Sequence, residues 1–202
     1  EMRFTGVGES DFHHKLDQEL HEIEGLEVGY CARPSEVDLR LIGTRVAVEA
    51  ARRFVLKVYP ENLVSEDGRS IEAVVIDLLK DQGKTIATAE SCTGGRIASR
   101  LTDVSGASQV FSDGFVTYSN RSKSKLLGVD PALINCHGAV SEEVVIAMAN
   151  GALKFSLSDL AVAVTGIAGP TGGTNEKPVG TVWIGLAEKD GSVTTVKAFW
   201  AR

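Results

Sequence analysis

The sequence predicts an α/β protein in which a small α/β domain precedes a larger, layered α/β domain. Apolar strands alternate along the chain with segments of helical periodicity, as in α/β folds. The segment "LAVAVTG" is almost continuously apolar, which indicates a strand in a sheet covered on both faces. The join "YPENLVSEDGRS" is rich in turn residues, so we place the two domains at residues 1–66 and 67–202.

The first domain is expected to be a small split α/β module. A short strand is predicted at residues 3–7 and a helix at about 10–22, where Leu16, Leu20 and Ile23 recur at helical spacing. The segments "LEVGYCA" and "EVDLRLIG" alternate as two strands around Pro34, and "VAVEAARRFVLKVY" is a second helix.

The second domain is expected to alternate helices and strands around one sheet. Helices are predicted at "SIEAVVIDLLKDQG", "TGGRIASRLTDV", "RSKSKLLGV" and "SEEVVIAMANGALKF". Strands are predicted at "TIATA", "QVFSDGFVTYS" and "LAVAVTG". The segments "VGTVWIGLAE" and "VTTVKAFWA", joined by "KDGS", read as a closing hairpin.

Composition and charge argue against several classes of function for this protein. The net charge of −6 argues against nucleic acid as the main partner, although a small phosphorylated ligand needs only one local site. The three cysteines are far apart and lack CxxC spacing, so we expect reduced thiols, a cytoplasmic protein and no metal site. No apolar run approaches ~18 residues and no leader is visible, so we expect neither a membrane span nor a signal peptide.

Two glycine-rich segments follow predicted strands, "ESCTGG" at residues 90–95 and "TGIAGPTGG" at residues 165–173. Ligands of open α/β sheets bind at the carboxyl ends of strands, so these two segments predict one pocket. Taken alone, Ser91 is a helix cap, part of a phosphate cradle or a nucleophile. "GKT" at residues 83–85 is not a P-loop, because the motif's first glycine would fall at Leu78. "GIAGPTGG" is likewise not a dinucleotide fingerprint.

A nucleophilic serine needs a base. His13, His14 and His21 belong to the first predicted helix, and His137 is expected in a turn before a helix. The alternative base is Lys123 in "VTYSNRSKSKLLGV", because a lysine kept neutral by burial or by nearby positive charge can deprotonate a serine. Flanking Arg121 and Lys125 would supply that charge; otherwise Lys123 is a solvated surface residue.

Five blocks, in order, carry a family resemblance: "TAESCTGGRIASRLTDVSGAS", "GFVTYSNRSKSKLLGV", "HGAVSEEV", "AVTGIAGPTGG" and "KPVGTVWIGLA". From about residue 70 onward the chain resembles the C-terminal domain of the competence-damage-inducible (CinA) family, the nicotinamide mononucleotide deamidase. The resemblance implies a three-layer α/β/α sandwich. The preceding region resembles the KH-like middle domain of long members. The family continues beyond this point with an arginine-containing segment, so we expect the chain to be C-terminally incomplete.

The resemblance also implies a reaction and its residues. The family hydrolyses nicotinamide mononucleotide to nicotinic acid mononucleotide and ammonia, without metal or cofactor, as a homodimer. Matched motif by motif, Ser91, Lys123 and Tyr118 are implied as catalytic. The implied substrate-binding residues are Glu90, Asn120 and Thr165. Independently of the resemblance, the amides of Thr93, Gly94 and Gly95 are expected to hold the oxyanion. The glycines of the second segment, Gly166, Gly169 and Gly172, are expected to bind the ribose phosphate. The alternative is a non-catalytic nucleotide-binding or competence-related interaction module.

Overall fold

The computed structural model describes residues 1–200, which form two compact units, Glu1–Val75 and residues 76 onward. Two sheets and their helices confirm the predicted α/β class. The division between the units falls a few residues after the turn-rich join. Within residues 1–200, no helix combines the length and apolar character needed to cross a bilayer.

The first unit has the order β1 (Met2–Thr5), α1 (Glu9–His21), β2 (Leu26–Arg33), β3 (Glu36–Gly43), α2 (Arg45–Val58) and β4 (Leu63–Ser65). Its strands pair antiparallel in the order β2-β3-β1-β4, which is the split β-α-β arrangement. Apolar side chains of both helices and of β1 and β3 form one core, including Phe4, Phe12, Leu16, Leu39 and Val55. The three-residue strand β4 was not predicted, because its residues lie inside the turn-rich join.

The second unit contains most of α3 (Ile71–Gln82), followed by β5 (Ile86–Glu90), α4 (Arg96–Thr102), β6 (Phe111–Val116), α5 (Asn120–Leu127), α6 (Pro131–His137), α7 (Glu142–Ser156), β7 (Leu160–Gly166), β8 (Thr181–Glu188) and β9 (Val193–Phe199). The sheet order is β6-β5-β7-β8-β9. Strand β5 is parallel to β6 and β7, whereas β8 and β9 are antiparallel to their neighbours. The carboxyl ends of β5, β6 and β7 therefore share one edge of the sheet.

Successive side chains of β5 point toward two different helical layers. Ala87 and Ala89 pack into the core that α7 forms with β7. Their neighbours Thr88 and Glu90 are also buried, and Glu90 bonds to the first turn of α4. Because successive side chains of a strand point to opposite faces, α7 and α4 cover opposite sides of the sheet, as in a three-layer sandwich.

Helix α6 is absent from the sequence interpretation, which placed His137 in a turn. Two start signals were nevertheless present. The Asp130 carboxylate accepts a 2.8 Å hydrogen bond from the Ala132 amide, and Pro131 occupies the first helical position. The helix was missed because an Asp-Pro pair also favours a turn.

Candidate active site

The sheet edge brings Ser91 and Lys123 together, although 32 residues separate them in the chain. Ser91 directly follows β5, and its amide donates a 2.9 Å hydrogen bond to the Val164 carbonyl of β7. Lys123 lies on the buried side of α5, with its Nζ 2.9 Å from the Ser91 Oγ. Ser91 is 6% exposed and Lys123 is 1% exposed, so the pair is shielded from water. Lys123 is therefore not the solvated surface charge of the alternative interpretation.

The buried surroundings of Lys123 disfavour its charged form. Its other two close contacts are the backbone carbonyl oxygens of Thr117, at 3.0 Å, and Tyr118, at 3.5 Å. All three oxygens around the Nζ are neutral. Loss of hydration lowers the pKa of the Lys123 ammonium, and the nearby Cys92 thiol opposes that shift only in part. The sequence argument expected Arg121 and Lys125 to lower this pKa; both are exposed, and desolvation is the cause instead.

The contacts of Lys123 suit a general base. A neutral amine has two N–H groups and one lone pair. When Lys123 is neutral, the two carbonyl oxygens can accept its N–H groups, and its lone pair can then accept a hydrogen bond from the Ser91 hydroxyl. The arrangement can therefore remove the proton from Ser91 Oγ without any histidine.

Glu90 holds the start of α4. One carboxylate oxygen accepts hydrogen bonds from the amides of Gly95 (3.0 Å) and Ile97 (3.1 Å), and the other accepts one from Ala98 (2.8 Å). These amides belong to the helix N-terminus, where a negative charge is stabilised. Glu90 is 1% exposed. The geometry therefore favours support of the loop over the substrate contact that the resemblance implied.

The glycines after Ser91 form a tight turn in which the Gly94 and Gly95 amides already have hydrogen-bond acceptors. Gly94 donates a 3.1 Å hydrogen bond to the Ser91 carbonyl, and the Gly95 amide is bonded to Glu90. Both have positive φ, +62° and +93°. The expectation that these two amides hold an oxyanion is therefore not supported, because each already has an acceptor. Thr93 offers a different group, since its hydroxyl is buried and has no hydrogen-bond partner among the described residues.

Cys92 is not a competing nucleophile in this geometry. Burial raises the pKa of its thiol, and the amides of Cys92 and Thr93 lower it to a smaller extent. Because the thiolate is the reactive form, a raised pKa disfavours the Cys92 sulfur as a nucleophile. Ser91 thus remains the candidate nucleophile.

Tyr118 and Asn120 are exposed, unlike the buried Ser91–Lys123 pair. Tyr118 contributes its carbonyl to Lys123, but the residue is 74% exposed. Asn120 is also exposed, at the first position of α5, whose cap is formed by Ser119 and Ser122. A residue that sequence reasoning missed is Thr117, which is fully buried. Its carbonyl accepts the 3.0 Å hydrogen bond from Lys123 Nζ, and its hydroxyl has no partner among residues 1–200. It lay inside a predicted strand, so no signal marked it.

The second glycine-rich segment adjoins the first, as predicted. A Cβ placed on Gly166 would lie 2.9 Å from the Cys92 sulfur, so the end of β7 touches the residue after Ser91. The buried Thr165 hydroxyl donates a 2.8 Å hydrogen bond to the Ala139 carbonyl, which fixes the start of the loop. Further along, Gly169 and Gly172 have φ of +77° and +93°, a region that side chains disfavour.

The histidines take other roles. His13 of α1 bonds to Asp17 at 3.0 Å, within the first unit. His137 lies 3.0 Å from the Glu143 carboxylate at the start of α7. Across residues 1–200, no three His, Cys, Asp or Glu side chains are grouped as metal ligands would be.

Comparison with known proteins identifies the family. The sequence model of the CinA C-terminal domain matches residues 68–201. A CinA-like protein of Akkermansia muciniphila is 51% identical over 100% of this chain and 49% of its own length. A CinA-like protein of Chlorobaculum tepidum is 45% identical over 93% of this chain and 47% of its own length. The chain thus spans about half the length of the curated relatives it matches.

Solved structures agree. The competence/damage-inducible protein CihA of Agrobacterium tumefaciens has a TM-score of 0.63 and 44% identity, over 64% of this chain and 79% of that chain. A CinA superfamily protein of Escherichia coli has a TM-score of 0.62 and 35% identity, over 65% and 76% of the two chains. The chain belongs to the CinA family, through its C-terminal domain.

Proposed function

We propose that this chain is a serine amidohydrolase that converts nicotinamide mononucleotide to nicotinic acid mononucleotide and ammonia. The observation that carries the proposal is the buried contact of 2.9 Å between Ser91 Oγ and Lys123 Nζ. A nucleophile in reach of a base of lowered pKa is the pairing that amide hydrolysis requires. The five sequence blocks that resemble the family's deamidase domain support nicotinamide mononucleotide as the substrate.

In the first half of the reaction, Ser91 Oγ attacks the carboxamide carbon while its proton passes to Lys123 Nζ. The carbonyl π electrons move to oxygen and form a tetrahedral intermediate. When the intermediate collapses, the C–N bond breaks and Lys123 returns the proton to the leaving nitrogen, which departs as ammonia. An ester between Ser91 and the nicotinoyl group remains.

In the second half, water replaces ammonia. Lys123 is neutral again and accepts a proton from a water molecule that attacks the ester carbon. Collapse of the second tetrahedral intermediate breaks the ester bond, and the proton on Lys123 returns to Ser91 Oγ. The enzyme is regenerated and nicotinic acid mononucleotide is released.

The remaining predicted residues are assigned supporting roles. The orphan hydroxyl of Thr93 is a donor for substrate, and the loop with Gly166, Gly169 and Gly172 holds the ribose-phosphate end. Tyr118 and Asn120, both exposed at the rim, would turn toward bound substrate. The resemblance further implies a cytoplasmic homodimer, and that assignment is part of the proposal.

The test is release of ammonia from nicotinamide mononucleotide by the full protein. Removal of a catalytic serine lowers turnover by several orders of magnitude, so we expect Ser91→Ala to reduce kcat at least about 10³-fold. Ser99→Ala, at an exposed position of α4, is the matched control and should keep wild-type turnover. Full turnover by Ser91→Ala would refute the nucleophile. Tight binding of the mononucleotide without ammonia release by the wild type would support the alternative, a non-catalytic nucleotide-binding module.

A further inference from the structure

Lys177 lies in the loop of residues 167–180, which connects β7 to β8. The base of this loop is closed by two backbone hydrogen bonds, from the Ile167 amide to Thr181 at 2.9 Å and from the Gly180 amide to Ile167 at 2.8 Å. The glycine-rich stretch begins inside that base. The two ends of the loop are therefore fixed to the sheet, whereas the glycines between them have little intrinsic rigidity.

A local turn presents the Lys177 side chain. The Thr174 amide donates to the Lys177 carbonyl at 2.9 Å, and the Lys177 amide donates to the Thr174 hydroxyl at 3.1 Å. This turn immediately follows the glycine-rich stretch. A contact made by Lys177 consequently fixes the far end of that stretch.

The Lys177 Nζ donates a 2.6 Å hydrogen bond to the carbonyl of His137, the last residue of α6, where the turn of residues 137–139 toward α7 begins. The charge on the donor makes this bond stronger than one between neutral groups. The same turn accepts the 2.8 Å hydrogen bond from Thr165 at Ala139. It is itself held by the 3.0 Å pair between His137 and Glu143. The turn of residues 137–139 is thus a fixed support with two attachments.

We propose that Lys177 is a positioning residue that ties the glycine-rich loop to the 137–139 turn and so preorganises the loop for the anionic end of the mononucleotide. The inference rests on the proposed function. Thr165 fixes the start of the stretch beside Cys92, and Lys177 fixes its far end. Backbone amides bind an anion well only when they are already in place, since ordering a loop on binding reduces affinity.

Kinetics of Lys177→Met, which keeps the side-chain length but removes the donor, test the proposal. We expect KM for nicotinamide mononucleotide to rise about tenfold, the loss typical of one charged hydrogen bond, with kcat changed less than about twofold. Lys177→Arg keeps a charged donor and should restore most of the affinity. Lys189→Met is the control, because this exposed lysine pairs with Asp159 instead and should keep wild-type KM.

Hydrogen exchange gives a readout that does not need turnover. We expect the amides of residues 168–177 to exchange faster in Lys177→Met than in the wild type, and not in Lys189→Met. Unchanged amide exchange in Lys177→Met would show that Lys177 does not hold the loop. Faster exchange with an unchanged KM would show that the contact of Lys177 does not contribute to substrate binding. If the wild type released no ammonia, the proposed function would fall, while exchange in the loop would still decide whether Lys177 holds it.

Discussion

The turns that follow β5 and β7 are both rich in glycine and lie side by side, but they are built differently. After β5 the chain turns within five residues, and the amides of Gly94 and Gly95 are bonded inside the turn. After β7 the chain makes a long excursion to residue 180, held by the side chains of Thr165 and Lys177 at a separate turn.

The turns after β5 and β7 are therefore suited to two different tasks. The short turn fixes Ser91 relative to Lys123 through backbone bonds and one buried carboxylate, as an attacking atom needs close and constant geometry. The long loop is fixed only at a few points, which is consistent with the proposed role of this loop in substrate binding. Changes in the short turn should therefore affect chemistry and stability together, and changes in the long loop should affect binding.

The largest effect is expected from Lys123→Met, which removes the proposed base but keeps an unbranched side chain. Loss of a general base lowers rates by about 10²–10⁴-fold, so kcat for ammonia release should fall within that range. Lys125→Met, at an exposed position of the same helix, is the control and should remain within about twofold of the wild type. Equal activity of both variants would exclude Lys123 as the base.

The pH dependence follows from the same residue. Because burial lowers the pKa of Lys123 from its ordinary value of 10.5, kcat/KM should rise with pH through a midpoint below 10.5 as the amine becomes neutral. Between that midpoint and 10.5 the unfolded chain holds more protons than the folded one. The free energy of unfolding should therefore rise with pH across this window, and Lys123→Met should lack that rise. If the difference in unfolding free energy between the wild type and Lys123→Met did not change with pH, Lys123 would not have the lowered pKa assigned to it.

Glu90→Gln tests the short turn. A glutamine keeps one acceptor oxygen and places an NH₂ group against amide donors, so charged hydrogen bonds to α4 are lost. We expect a destabilisation of about 3 kcal/mol with a parallel loss of activity. Thr88→Val on the same strand is the matched control, because the Thr88 hydroxyl is buried without a partner among the described residues, and it should be neutral or stabilising. Denaturant unfolding measures both.

The smallest effects come from two glycines, Gly166 at the end of β7 and Gly94 in the short turn. A Cβ on Gly166 would lie 2.7 Å from a Val182 methyl group and 2.9 Å from the Cys92 sulfur, so Gly166→Ala should destabilise by about 2 kcal/mol. Gly94 has open space but a φ of +62°, so Gly94→Ala should destabilise by about 1 kcal/mol through strain alone. The reverse order in denaturant unfolding would show that crowding at Gly166 is relieved by movement of the loop.

Several parts of this protein were predictable because their causes are local. The apolar runs that form β5 and β7, and the helical stripes of α1 and α7, follow from periodicity that short windows of sequence display. The pairing of two glycine-rich strand ends was also predictable, since parallel strands bring their carboxyl ends to one edge. The short elements β4 and α6 were missed because their surroundings favour turns: β4 lies in the turn-rich join, and α6 begins with an Asp-Pro pair.

What the sequence by itself determined is the α/β class and the edge of the sheet where two glycine-rich strand ends meet. Only the tertiary structure decided how the neighbouring groups are used. The Glu90 carboxylate accepts hydrogen bonds at the start of α4, Tyr118 is exposed to solvent, and Lys123 is buried against Ser91. Burial and hydrogen-bond partners depend on segments distant in the chain, so no local pattern encodes them, and they are what sets the pKa of a lysine.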